Sequence, residues 1–184
     1  MKRIGDYQIE TLEWRQPKGL DHYYELRARQ ELLARLTFRS LLGTLATAET
    51  SEGSWTFKRV GFLNPRVTVR EAGQEANLAV YQPKFWGDGV LTFQDGRALT
   101  WKPVNFWRTD WSFFNAQEDA VLEFISGLQE EKLRDVFKTQ YTLIRHGAGP
   151  DPDILPILAT LGLYLLILHQ QDAAAAMAGT SAAT

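Results

Sequence analysis

The stretch DILPILATLGLYLLILHQQ, from Asp153 to Gln171, is apolar on every side. Wound as a helix it carries Leu155, Ile157, Leu158, Leu161, Leu163, Tyr164, Leu165, Leu166, Ile167 and Leu168, interrupted by Thr160 and Gly162. A helix lying on one face of a sheet keeps a polar stripe toward water. This one has none. A membrane span needs about 20 apolar residues to cross a core about 30 Å thick. Ile154 to Leu168 is fifteen residues, about 22 Å at ~1.5 Å per residue. His169, Gln170, Gln171 and Asp172 then end it, and no basic flank anchors either side. No transmembrane span is expected. What remains is a helix surrounded by protein all round.

The rest of the chain supplies the surroundings. From about residue 23 to 126 the periodicity is short. In ARLTF, Leu36 and Phe38 alternate with Arg35, Thr37 and Arg39; in PRVTVRE, Val67 and Val69 alternate with Arg66, Thr68 and Arg70. Period-2 alternation marks half-buried strands. Turn chemistry separates the runs at SEGS (51–54), NP (64–65), REAGQE (70–75), GDG (87–89) and QDGR (94–97). In GVLTFQDGRALTWKPV, Asp95–Gly96 predicts a type I′ hairpin. SGLQEEKLRDVF reads as a short surface helix and KTQYTLIRH as a further strand, after which Asp151 or Asp153 is placed to cap the final helix, with Pro156 in its first turn. TFKRVGFL (56–63) and TWKPVNFW (100–107) share Thr, Lys, Val and Phe in register, as two similar β units in one barrel would.

A closed sheet of about ten to twelve strands encloses a lumen wider than wall side chains alone can fill, and a helix ~10 Å across plugs it. The expectation is therefore a mainly β single domain over residues 1–172. It is a closed antiparallel barrel of roughly 10–12 strands enclosing a hydrophobic C-terminal helix at about 153–171, with 173–184 an alanine-rich, fraying tail. Such a chain resembles the tubby C-terminal-like superfamily, which includes tubby domains, LURP-one-related proteins and phospholipid scramblases. GVLTFQDGRALTW, as a late hairpin, and DILPILATLGLYLLIL, as the terminal helix, carry the resemblance, which covers about 23–170 and is architectural. It implies the fold and a lipid connection: tubby domains bind phosphoinositides through a basic pocket, and scramblases are membrane-associated. No functional residue is carried over. GPDPD has too few carboxylates for the scramblase calcium segment, and without cysteine there is no palmitoylation site.

Composition narrows the functions. The net charge of −2 gives no global argument for nucleic acid. It hides an asymmetry, sixteen Lys/Arg against twelve Asp/Glu over 1–109 but four against ten over 110–184. No cysteine excludes disulfides and thiolate metal sites, and His22, His146 and His169 show no ligand spacing, so neither metal nor cofactor is expected. The N-terminus lacks a signal-peptide core, so a cytoplasmic location, with peripheral membrane contact, is expected. No nucleophile elbow, phosphate loop or paired-carboxylate pattern points to catalysis; Glu118–Asp119 and Glu130–Glu131 read as solvated surface.

Two candidate binding surfaces follow. Alternation turns Arg35, Arg39, Arg66 and Arg70 outward, with Arg27 and Arg29 sharing a face of their own strand, as an anion- or lipid-binding set or as a solvated face paired with Glu25, Glu31 and Glu71. KFWGDG and VNFWRTDWSFF concentrate Trp86, Phe106, Trp107, Trp111 and Phe113. With Lys84, Lys102 and Arg108 these form an interfacial rim if exposed, and barrel wall if packed on the helix. The leading expectation is a non-enzymatic binding or scaffold protein for anionic phospholipid head groups or a membrane surface. A protein-interaction module and a small-molecule carrier are the alternatives.

Overall fold

The computed structural model describes residues 1–7, 12–17, 22–40, 43–84, 87–127, 140–147 and 149–181. A short 3-10 helix (Ile4–Asp6) precedes twelve strands: β1 (Leu12–Arg15), β2 (Tyr23–Ala28), β3 (Glu31–Phe38), β4 (Ala46–Thr50), β5 (Ser54–Val60), β6 (Arg66–Glu71), β7 (Ala79–Pro83), β8 (Gly89–Phe93), β9 (Ala98–Pro103), β10 (Trp111–Phe114), β11 (Ala120–Ser126) and β12 (Gln140–Arg145). Helix α1 (Leu155–Ser181) follows. Each strand pairs antiparallel with its neighbours in sequence, and β1 closes on β12 with Leu12 opposite Leu143 and Trp14 opposite Tyr141. The sheet is a closed up-and-down barrel, as the strand pattern predicts.

The alternation works as read. Leu36, Phe38, Val67 and Val69 are buried inward, while Arg39, Thr37 and Arg66 are exposed. Thr68 departs from it: on the outer face, between Lys58 and Val80 of the flanking strands, it is nonetheless buried, its hydroxyl donating to the Lys58 carbonyl at 3.3 Å. The inner face is apolar, while the outer face mixes polar and charged groups with half-buried Val80, Val90, Phe114, Ile125 and Ile144.

Every residue from Ile154 to Leu168 is buried in the lumen. Two aromatic clusters wedge the helix against the wall. Phe38 and Phe57 lie 5.6 and 5.4 Å from the Tyr164 ring; across the lumen, Trp101 lies 5.5 Å from Trp111, 4.6 Å from Phe113 and 5.5 Å from Phe124. The polar handles of the core are satisfied. Trp14 Nε1 donates to the Ala159 carbonyl at 3.1 Å, Tyr164 to the Thr44 carbonyl at 2.6 Å, and Thr160 back to the Pro156 carbonyl at 2.8 Å. Burying ten large side chains of the helix contributes on the order of 15–30 kcal/mol before conformational entropy is charged.

Local readings fared unevenly. The 94–97 turn holds a hairpin, but Asp95 keeps a negative φ and Gly96 alone is left-handed (φ 91°). With Gly96 N–H on the Phe93 carbonyl and Phe93 N–H on the Arg97 carbonyl, it is the three-residue turn ending in a glycine bulge, not type I′. Helix α1 runs on beyond the expected end near 171 to Ser181, through a segment rich in alanine, the strongest helix former. Pro156 sits in the first turn as expected. The helix expected in SGLQEEKLRDVF lies outside the described residues.

Candidate functional site

Strand alternation gives the barrel two unlike ends. Odd strands run one way and even strands the other, so α1 enters beside the even-to-odd connections and leaves beside the odd-to-even ones. At the entry end the connections 29–30, 51–53, 72–78, 94–97, 115–119 and 146–154 carry seven acids (Glu52, Glu75, Asp95, Glu118, Asp119, Asp151, Asp153) and two arginines (Arg29, Arg97), a net −5. Arg97 gathers three of those acids. It meets Asp95 at 2.6 Å, Asp151 at 3.1 Å and Asp153 at 2.7 Å, binding the β8–β9 turn to the start of the helix. Asp151 and Asp153 are thus drawn onto a tertiary partner, while the first helical N–H, that of Leu155, goes to the Asp151 carbonyl at 3.0 Å.

The exit end is different in kind. Of the seven large hydrophobic residues that stand exposed among the described residues, six belong to it: Phe62 and Leu63 in the β5–β6 loop, Val104, Phe106 and Trp107 in the β9–β10 loop, and Met177 on the emerging helix. Phe62 is 97% and Leu63 92% exposed; Phe106 is 89% and Trp107 80%. The two loops lie four strands of the twelve apart, one third of the circumference. Their bases are hydrogen-bonded. Asn105 accepts Thr109 N–H at 3.0 Å and donates to Asp110 at 2.7 Å, and Gln82 donates to Asn64 at 2.9 Å. Exposed Arg39, Arg66 and Lys84 share this end, and none of the three has an ion pair among the described residues.

The six arginines singled out from the sequence are not one patch. Arg27 and Arg35 both bind Glu25, at 2.8 and 3.3 Å, and Arg35 also lies over the Tyr23 ring. Arg29 sits in the entry-end turn at φ 53°. Arg70 donates to Asn77 at 2.8 Å near the same end. Arg39 and Arg66 are at the exit end. Glu31 pairs with Lys2 rather than with an arginine. Of the expected rim, Trp107 is exposed and Lys84 stands on the exit rim; Arg108 lies over the Trp111 ring at 5.0 Å, and its carbonyl accepts Trp111 Nε1 at 2.8 Å. Lys102 is further down the wall, paired with Glu118 and over Phe114. Trp111 and Phe113 are barrel wall, and Trp86 lies outside the described residues. His146 pairs with Glu123 at 2.5 Å on the outer face.

Phe62, Leu63 and Arg59 went unread in the sequence. The echo between TFKRVGFL and TWKPVNFW carried the signal: Phe57 and Trp101 point inward in both, Lys58 and Lys102 outward, and Phe62 and Phe106 crown the loops. Arg59 continues the inward series Trp55, Phe57. At the mouth it binds Asp172 of α1 through two contacts of 2.7 and 2.9 Å.

Beside that pair opens a cavity of about 660 Å³, between α1 and the inner faces of β5, β6 and β7. Its wall is the cross-strand row Arg59, Val67 and Tyr81, its helical side Leu165, Leu168, His169 and Asp172. Tyr81 donates to the Gly87 carbonyl at 2.7 Å, and burial holds its phenol far above the usual range, so it stays protonated. His169 packs edge-on against Trp111 at 5.3 Å; burial, then the charge of Arg108, lowers its pKa.

Fold and site together define a helix-plugged up-and-down barrel with an acidic entry end and an exit end where exposed apolar loop tips stand beside exposed Arg39, Arg66 and Lys84. No family model, curated protein or solved structure matches the chain. A closed barrel with a C-terminal helix is what the tubby-like resemblance implies, but that architecture alone does not identify the family. Among the described residues no helix is long and apolar enough to cross a membrane, and no group of three potential metal ligands converges.

Proposed function

We propose that the chain is a non-enzymatic, peripheral lipid-binding protein that meets an anionic membrane surface with its exit end. The exposed Phe62–Leu63 and Phe106–Trp107 loop tips carry this reading. Large apolar groups left in water at the tips of loops with hydrogen-bonded bases, beside exposed cations, fit an interface with an apolar interior and a negative surface. Tryptophan and phenylalanine favour that boundary. Burying each tip side chain is worth roughly 1.5–3 kcal/mol, and each basic residue near an anionic surface about 1 kcal/mol. Four apolar anchors and Arg39, Arg66 and Lys84 are together sufficient for reversible docking without a spanning segment.

Co-sedimentation with phosphatidylcholine vesicles, with and without phosphatidylserine, at low and physiological salt tests it. Binding is expected to need the anionic lipid and to weaken with salt. Phe62→Ser/Leu63→Ser and Phe106→Ser/Trp107→Ser are each expected to weaken it at least tenfold. Arg39→Ala/Arg66→Ala should weaken it too, while Arg35→Ala/Arg70→Ala, whose guanidiniums are already engaged, should not. Binding that ignores the tips, or is absent from both vesicle types, overturns the reading and turns the search to a protein partner for the same face.

A further inference from the structure

We infer that the cavity beside the Arg59–Asp172 pair binds a single alkyl chain with a singly charged anionic head group. The inference deepens the proposed lipid-binding function and rests on it for the source of the ligand, a chain lifted from the contacted surface.

The grading of the cavity along the helix argues for this ligand. Leu165, Leu168, His169 and Asp172 follow the i, i+3, i+4, i+7 spacing that puts four side chains on one helix face. Along it, burial falls from Leu165 and Leu168, both nearly inaccessible, through half-buried His169 to exposed Asp172. The opposite wall is the cross-strand row Arg59, Val67 and Tyr81, in which Val67 and Tyr81 are buried and the partly exposed Arg59 meets Asp172, with exposed Lys84 beyond it at the exit end. One side of the cavity is apolar, the other charged and wet. That is the polarity of an amphiphile lying tail-first.

The mouth decides the sign of the head group. Arg59 and Lys84 bring two positive charges and Asp172 one negative, a net +1 among the described lining residues. His169 sits where burial and Arg108 favour its neutral form. Asp88, close enough to Tyr81 to act on its hydroxyl, is not a lining residue. Arg59 is held by Asp172, which leaves Lys84 to meet a carboxylate or a monoanionic phosphate ester directly, with Arg59 alongside. The volume is within the range of about 300–1,000 Å³ of small-molecule sites. Its position on the rim, within the third of the circumference between the two apolar loops, opens it toward the surface they contact.

The test uses the full chain, a dansyl-labelled fatty acid as reporter, and dodecanoate, dodecylammonium and dodecanol as competitors below their micellar concentrations. Saturable one-site binding is expected, with dodecanoate displacing the reporter at least tenfold better than dodecylammonium. Leu168→Trp, which fills the cavity, should abolish it; Lys84→Glu, an exposed change that leaves the core untouched, should weaken dodecanoate at least tenfold. Phe62→Ser/Leu63→Ser should bind dodecanoate as the parent does while losing vesicles. Absence of saturable binding, or binding undiminished in both cavity variants, overturns the inference, and equal affinity for dodecylammonium overturns the head-group assignment. The two proposals fail separately. Vesicle binding without dodecanoate binding removes the cavity and keeps the surface; the reverse removes the surface and leaves a site filled from solution.

Discussion

Gly162 shows how a single residue sets the fit between helix and wall. It reads in the sequence as a mere interruption of an aliphatic run. In the fold, a Cβ at this position would stand 2.2 and 2.4 Å from two ring carbons of Phe124. That ring is held in place, edge-on to Trp101 at 5.5 Å and to Phe113 at 6.4 Å, so it has little room to retreat. Helix propensity alone would make Gly162→Ala stabilising by ~1 kcal/mol. Overpacking costs about 1–3 kcal/mol, and in so crowded a layer it should win. Urea denaturation is expected to show net destabilisation, partly recovered when Phe124→Leu is added, although Phe124→Leu alone destabilises. A more stable Gly162→Ala would mean that the helix axis stands further from β11 than described. Nothing in the sequence announces this contact, because the crowding partner comes from a strand that only the closed fold brings near.

At the scale of elements, the connection between β12 and α1 is secured by the β8–β9 turn. Arg97 holds the carboxylates of Asp95 and Asp153 below the ordinary range, chiefly through its hydrogen bonds to them. Groups with depressed folded-state pKa values stabilise the fold above their unfolded values, and that stabilisation fades as pH falls through the folded ones. The stability difference between the parent and Arg97→Met should therefore be constant from about pH 7 to 5 and shrink as pH drops below about 4. The Arg97–Asp153 pair is largely solvent-exposed and is worth no more than about 1 kcal/mol. A difference that persists unchanged at about pH 2.5 would show that Arg97 acts by packing rather than by charge. Local chemistry made much of this level legible: alternation gave the strands, Asp-Gly the hairpin, and the all-round apolar run the enclosed helix. It placed Asp151 and Asp153 at the start of the helix but not against Arg97, because that guanidinium partner lies in a distant turn. The arginine faces were legible by parity, but not the fact that Glu25 engages two of them. Charge pairing across strands depends on register, which alternation does not specify.

For the whole molecule, the polarity of the two ends predicts an orientation. A net −5 in the entry connections repels an anionic surface, while the exit end offers four exposed apolar side chains and exposed Arg39, Arg66 and Lys84, which have no ion pair among the described residues. The barrel axis should therefore stand upright on the membrane, with the charged wall remaining in water. The chain has no cysteine, so single labels can be placed without background. An environment-sensitive NBD label on Leu63→Cys or Trp107→Cys should brighten and shift to the blue with phosphatidylserine-containing vesicles. The same label on Gln74→Cys or Gln117→Cys, in the entry connections, should not respond. Thr47→Cys, outward on β4, separates upright from side-on docking: a response there together with silence at one loop tip would mean that the wall makes the contact. Equal responses at both ends would remove the orientation altogether. Raising the salt should release all responding labels together, because the charges that orient the barrel are solvent-exposed and therefore screened.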